Sequence, residues 1–225
     1  MPCSPSSRQR LSPRDVERFA STTLFDRVGR TLCNADCLPR KELFESWEVA
    51  RRVRRRFRGG RVVDLACGHG LLGQLMLLLD DTSPSVVSVD TRMPASARAV
   101  AEAMAAEWPR LARRVAFVEG AMADVTVDAG DLIVSAHACG ALTDDILTKA
   151  LSVRARVAVL PCCHDAATCD TGHLEGWMDA AIAIDVTRAA RLTEAGYHVR
   201  TQLIPQSITP KNRLLLGDPL AREAP

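Results

Sequence analysis

A chain of 225 residues, 47% hydrophobic and 25% charged, is long enough to bury a sizeable core, and its composition excludes a disordered or low-complexity protein. It holds no run of 18 or more uncharged apolar residues, and its first residues are polar and arginine-bearing without an apolar signal segment, so a soluble cytoplasmic protein with no membrane partner is expected. The net charge of +2 conceals an asymmetry, because up to Arg61 there are 15 basic and 7 acidic residues and after it 14 and 20.

In chain order, Ser12, Pro13 and Asp15 read as an N-cap, a first-turn proline and a capping-box acid, and Val16, Phe19, Leu24 and Val28 follow at helical spacing, which predicts a first helix over residues 13–32. A second helix is predicted over residues 39–57, where Leu43, Trp47, Ala50, Val53 and Phe57 recur every three or four positions until Gly59 and Gly60 end it. From Arg61 onward, short apolar runs (RVVDLA, SVVSVD, RVAFVEG, DLIVSAH, RVAVLP) alternate with helical patterns, the βαβ rhythm of a parallel sheet wound on both faces. After Pro161 come a Cys/His-rich loop, a long helix predicted over residues 174–195, and two last strands, HVRTQLI and NRLLLG, expected as an antiparallel pair at one side of the sheet. The fold class is therefore α/β: a doubly wound, mostly parallel, Rossmann-like sheet of seven strands with an antiparallel last strand. Residues 1–60 form a helical extension, basic toward its end, residues 61–218 the main domain, and residues 219–225 a polar tail.

The segment VVDLACGHGLLG, residues 62–73, places a glycine-rich turn between the first strand and its helix, where a backbone can approach a ligand closely. Gly68, Gly70 and Gly73 satisfy the dinucleotide spacing GxGxxG, and Asp90 lies where a ribose-binding acid belongs. Nicotinamide cofactors and S-adenosylmethionine share that adenosine half. Asp64 separates them: a carboxylate on the strand four residues before Gly68 repels a pyrophosphate and welcomes a cationic sulfonium. The pattern D-x-A-C-G-x-G resembles the first motif of class I methyltransferases, whose usual form has glycine at the position of Ala66. The resemblance implies that Gly120, Ala121 and Met122 line an adenine, so Asp64, Ala66, Gly68, Gly70, Asp90, Ala121, Met122 and His137 are the expected cofactor residues.

In such sheets the ligand crevice lies at the carboxyl ends of the strands, so the loops AHACGALTDD and PCCHDAATC should face the acceptor. Three segments resemble a methyltransferase family that includes a eukaryotic tRNA ribose methyltransferase and the glutathione S-transferase C-terminal domain-containing protein: His137, Cys139, Gly140 and Thr143; Pro161, Cys162, Cys163 and His164; and Lys211, Asn212 and Arg213. The similarity covers about residues 39–217. It implies S-adenosylmethionine as cofactor and RNA, tRNA above all, as partner and acceptor; no obligate protein partner is expected. A hydroxyl acceptor must lose a proton, for which His137 or His164 is a candidate base, while Cys162 is a candidate nucleophile for a pyrimidine ring. Arg54, Arg55 and Arg58, in the run from Arg51 to Arg61, and Lys211, Asn212 and Arg213 are candidate phosphate contacts. The alternatives are transfer to a small molecule or protein side chain, or a module that binds cofactor or RNA without turnover.

Eight cysteines in a chain of this class are expected as free thiols. Cys33 and Cys37 with Cys162, Cys163, His164 and Cys169 could make a zinc set, but the CxxxC spacing is too loose to carry one, and no metal is expected. Asp185 and Arg188 are spaced for an i,i+3 pair of structural value.

Overall fold

A computed structural model describes residues 4–221. Its sheet has seven strands in the order β3-β2-β1-β4-β5-β7-β6. These are β1 (Val62–Leu65), β2 (Val86–Asp90), β3 (Val115–Glu119), β4 (Leu132–Ser135), β5 (Arg156–Val159), β6 (Tyr197–Leu203) and β7 (Arg213–Pro219). Strands β1 to β5 pair in parallel, and β7 enters antiparallel between β5 and β6. The strand order reverses between β1 and β4, so the crevice that a doubly wound sheet offers a ligand opens at their carboxyl ends.

Period-two alternation sends each strand's residues to two cores. Val62, Leu132, Val134, Ala158, Leu214 and Leu216 join one with α1 (Leu24–Ala35), α2 (Arg40–Arg54), α3 (Leu71–Leu78) and α4 (Ala95–Glu107). Val63, Leu65, Ile133, Val157, Val159 and Leu215 join the other with α5 (Leu142–Val153) and α6 (Ala180–Glu194). The two N-terminal helices therefore share a core with the sheet rather than standing off it. No helix among the described residues is long and apolar enough to cross a membrane.

Two helices differ from the sequence expectation. The helix expected over residues 13–32 is broken: a 3-10 turn spans Pro13–Arg18 and α1 starts at Leu24, because Thr23 caps it by accepting from the Asp26 N–H. The break folds the chain back so that the Phe19 ring lies where a side chain on Gly29 would stand. The helix expected from residue 174 starts at Ala180, where Asp179 accepts from the Ala181 N–H; hydroxyl and carboxylate side chains that bond the backbone compete with helix and set its start. Of the expected polar tail, Pro219 ends β7 and residues 222–225 lie outside the described residues.

Candidate active site

The turn after β1 carries the densest set of expected residues. Ala66 takes a left-handed φ of 54°, Gly68 follows at 53° and Gly70 caps α3 at 67°. A Cβ on Gly70 would stand 2.5 Å from the Phe117 ring, and one on Gly73 would stand 2.7 Å from Val86, so α3 is pressed against the sheet at the position of Asp64. The Gly73 N–H donates to Asp64 Oδ2 at 2.9 Å and the Gly68 N–H to Asp90 Oδ2 at 2.9 Å. Both aspartates therefore pin the turn. Asp90 also lines the cleft, whereas Asp64 lies beneath it, 1% exposed.

Burial pushes the Asp64 carboxyl up to about 7, and the neighbouring Glu42 and Asp90 push the same way against one backbone hydrogen bond. Glu42, from the first turn of α2, is a residue that sequence reasoning missed, as are His69 and Leu142. It stands on the cleft wall with His69 Nδ1 2.8 Å from its Oε1, a hydrogen bond that raises the imidazole above its usual range. The cleft, a cavity of about 360 Å³, is walled by Glu42, Ala66, Gly68, His69 and Asp90 on one side and by His137, Cys139 and Leu142 on the other. Among the described residues, no lysine or arginine lines it.

The geometry separates the remaining expectations. His137 stands on the cleft wall, and its Nε2 is buried with no hydrogen-bond partner among the described residues. Ala121 is exposed and Met122 packs against the second core, both just past β3, whose last residue Glu119 pairs with Asp90. His164 does not reach the cleft: its side chain is 2% exposed, with Nε2 2.8 Å from Asp185 Oδ1. His164, expected as a candidate base, is held by Asp185 inside the fold. Asp185 opposes burial, which would raise its carboxyl, with hydrogen bonds from His164 and Arg213, and these hold it below the usual carboxylate range. Cys162, expected as a candidate nucleophile, is half-buried beside Cys139 and Cys163. Burial raises its thiol and these neighbours raise it further, away from the thiolate that attack would need.

A buried ionic network explains much of the acceptor-side signature. Arg188, 2% exposed, donates to Asp144 through Nε (2.9 Å) and Nη2 (2.7 Å) and to the Gly140 carbonyl at 2.9 Å, and pairs with Asp185 at 3.3 Å. Arg213 Nε donates to Asp185 Oδ2 at 2.6 Å, and Asn212 Nδ2 donates to the Ile204 carbonyl at 2.9 Å. The structure gives Asn212 and Arg213 partners inside the fold and leaves Lys211 exposed.

The arginine run lies at the opposite end of the sheet from the cleft. Arg61 precedes β1, and the Arg58 and Gly59 carbonyls accept from Arg156, the first residue of β5. Arg54 cannot grip a phosphate: it is 2% exposed, donating to the Met76 carbonyl and Ser83 and paired with Asp80 at 3.0 Å, and burial lowers its guanidinium to about 10. Arg58 is partly engaged by the Leu79 carbonyl. Arg55 and Arg56 are exposed and line a shallow hollow with Arg200.

A family described as "Methyltransferase domain" matches residues 43–169, more than half of the chain and the whole donor side of the cleft except Glu42. The chain belongs to the methyltransferase-domain family. Solved structures that share this fold include three methyltransferases. An O-methyltransferase family protein from Burkholderia thailandensis is 19% identical, with a TM-score of 0.54 over 95% of this chain, which spans 64% of that protein's length. A putative rRNA-methylase from Clostridium thermocellum is 12% identical, with a TM-score of 0.53 over 77% of this chain and 94% of its own. Precorrin-6y C5,15-methyltransferase from Geobacter metallireducens GS-15 is 11% identical, with a TM-score of 0.51 over 77% and 88%. No curated protein sequence matches the chain.

Proposed function

We propose that this methyltransferase takes its methyl group from S-adenosylmethionine and delivers it to RNA, with tRNA as the first acceptor to test. The observation that carries the cofactor reading is the charge of the cleft. Glu42 and Asp90 on the wall and Asp64 beneath it meet no lysine or arginine among the described lining residues, and His69 on the same wall is paired with Glu42, so the balance of charge favours a cation over a pyrophosphate. The residues fit the group, since a Cβ on Gly68 would meet nothing within 4 Å and the glycine faces open space beside Asp90.

Asp90 would hold the ribose hydroxyls while anchoring Gly68, and Ala121 and Met122 would border the adenine. The bound cofactor supplies an electrophilic methyl group. The chain's own task is to hold an acceptor atom close and aligned, an effect worth up to about 7 to 11 kcal/mol. Leu142 and Cys139 line the acceptor side. For a hydroxyl acceptor, His137 on the cleft wall is the candidate base.

RNA is favoured by the exposed Arg55, Arg56 and Arg200, a cationic ridge remote from the cleft that suits a ligand large enough to reach both. The test is transfer of label from S-adenosylmethionine to total RNA, protein and metabolite fractions, with Asp90→Ala as control. Label in RNA supports the reading; label confined to protein or metabolites overturns it. Replacing the three arginines by alanine should lower the slope of log affinity against log salt by about 2 to 3, and an unchanged slope removes the ridge from the interface.

A further inference from the structure

The acceptor-side loops bring together a group of sulfurs that methyl transfer does not use. Cys139 and the Cys162–Cys163 pair are far apart in sequence, but β4 and β5 are parallel neighbours and their pairing continues past the strand ends. The Leu160 N–H donates to the Ser135 carbonyl, and Cys139 bridges Cys163. Cys139 Sγ consequently lies 3.0 Å from Cys162 Sγ and 3.2 Å from Cys163 Sγ, with 3.6 Å between the latter two. Two of these separations are shorter than the 3.5–4.0 Å or so at which even carbon atoms pack best. Among the described residues this is the only group of three His, Cys, Asp or Glu side chains whose donor atoms converge in this way, so Cys33 and Cys37 do not join it. Cys169 is drawn elsewhere, its Sγ accepting from Arg188 at 3.6 Å.

We propose that Cys139, Cys162 and Cys163 form a three-thiolate site for a thiophilic divalent cation, zinc in the first instance, on the acceptor rim of the cofactor cleft. Thiolates bind zinc at about 2.3 Å, which sets tetrahedral ligand sulfurs about 3.8 Å apart. The trio needs to open by less than about 1 Å to match, and Cys139 and Cys163 are exposed and have room to turn. The same loops carry no fourth ligand within reach, since neither His137 nor His164 belongs to the group. One coordination position is left for water or an incoming group, as in catalytic rather than structural zinc sites. Cys139 also lines the cleft, so the ion would sit at its edge. The proposal concerns ion binding alone and stands whether or not RNA is the acceptor.

The full chain, stripped of metal and kept reduced with a phosphine, is titrated with cobalt(II) and then zinc. The expected result is one cobalt per chain with sulfur-to-metal charge-transfer absorption and tetrahedral visible bands, both abolished by zinc. Cys139→Ser, Cys162→Ser and Cys163→Ser should each remove the charge-transfer band or weaken zinc binding at least about tenfold. Cys37→Ser should leave both unchanged. Folded, reduced wild-type protein that binds no cobalt overturns the proposal. So does a band that persists in Cys139→Ser combined with the exposed-site variant Cys163→Ala, both folded by circular dichroism.

Discussion

Replacing Asp64 by asparagine should make the ligand-free methyltransferase more stable at neutral pH while weakening its hold on a cationic cofactor. The wild-type carboxyl titrates at about 7 in the fold against 3.8 as its reference value, because it is buried beside Glu42 and Asp90. A raised carboxyl keeps a proton in the folded state that the unfolded chain has released, so folding stability falls as pH rises from about 4 to about 7 and is level above that window. The full span corresponds to about 4 kcal/mol at most, of which between about 2 and 3 kcal/mol falls between pH 5 and pH 8. The asparagine side chain would keep an oxygen for the Gly73 N–H and has no charge to bury. Urea unfolding of both proteins at pH 5 and pH 8 measures the difference, and other titrating groups largely cancel in the comparison. The variant's advantage should widen by that amount toward pH 8. A constant gap across the two pH values would refute the reasoning that Asp64 is a charge held at a cost beneath the cofactor turn.

Ala66→Gly should stabilise the fold by about 1 kcal/mol in thermal or urea unfolding, because alanine is held at a φ of 54°, where glycine carries no steric penalty. Arg188→Met should cost about 3 kcal/mol, since it strands Asp144 in a partly buried site while Asp185 keeps Arg213 and His164, and Arg188→Lys should restore little because one ammonium cannot repeat the two-nitrogen contact with Asp144. Glu42→Gln should lower the His69 titration midpoint followed by NMR. His69 stabilises the fold below its unfolded value and loses that contribution as pH rises through its raised folded value, so the variant should lose stability at pH 6 and little at pH 9.

The parts of this fold legible in the sequence are those written in local pattern. The alternation of apolar runs from β1 to β5, the glycine turn and the two aspartates at strand ends are periodic or adjacent features, and each stands where that pattern puts it. What failed depended on contacts between distant segments. Glu42 reaches the cleft only because α2 packs on α3, and His164, Asp185 and Arg213 meet only where the loop after β5, α6 and β7 converge. Nothing in their spacing announces an ion network rather than catalysis. The arginine run carried a signal that local reading overlooked. Arg61 and Gly68 flank the four-residue β1, and at about 3.3 Å per residue that strand separates the basic cluster from the cleft by more than about 13 Å. Helix starts failed for a different reason, since Thr23 and Asp179 break continuous helical spacing with backbone bonds that apolar periodicity does not register.

Calorimetric titration of the purified chain with S-adenosylmethionine tests the central claim most directly. Saturable binding to one site is predicted, weakened in Asp90→Ala by about 1 to 3 kcal/mol, with no heat from a nicotinamide dinucleotide. Absence of binding by S-adenosylmethionine and S-adenosylhomocysteine alike, or binding of the dinucleotide in their place, would contradict it.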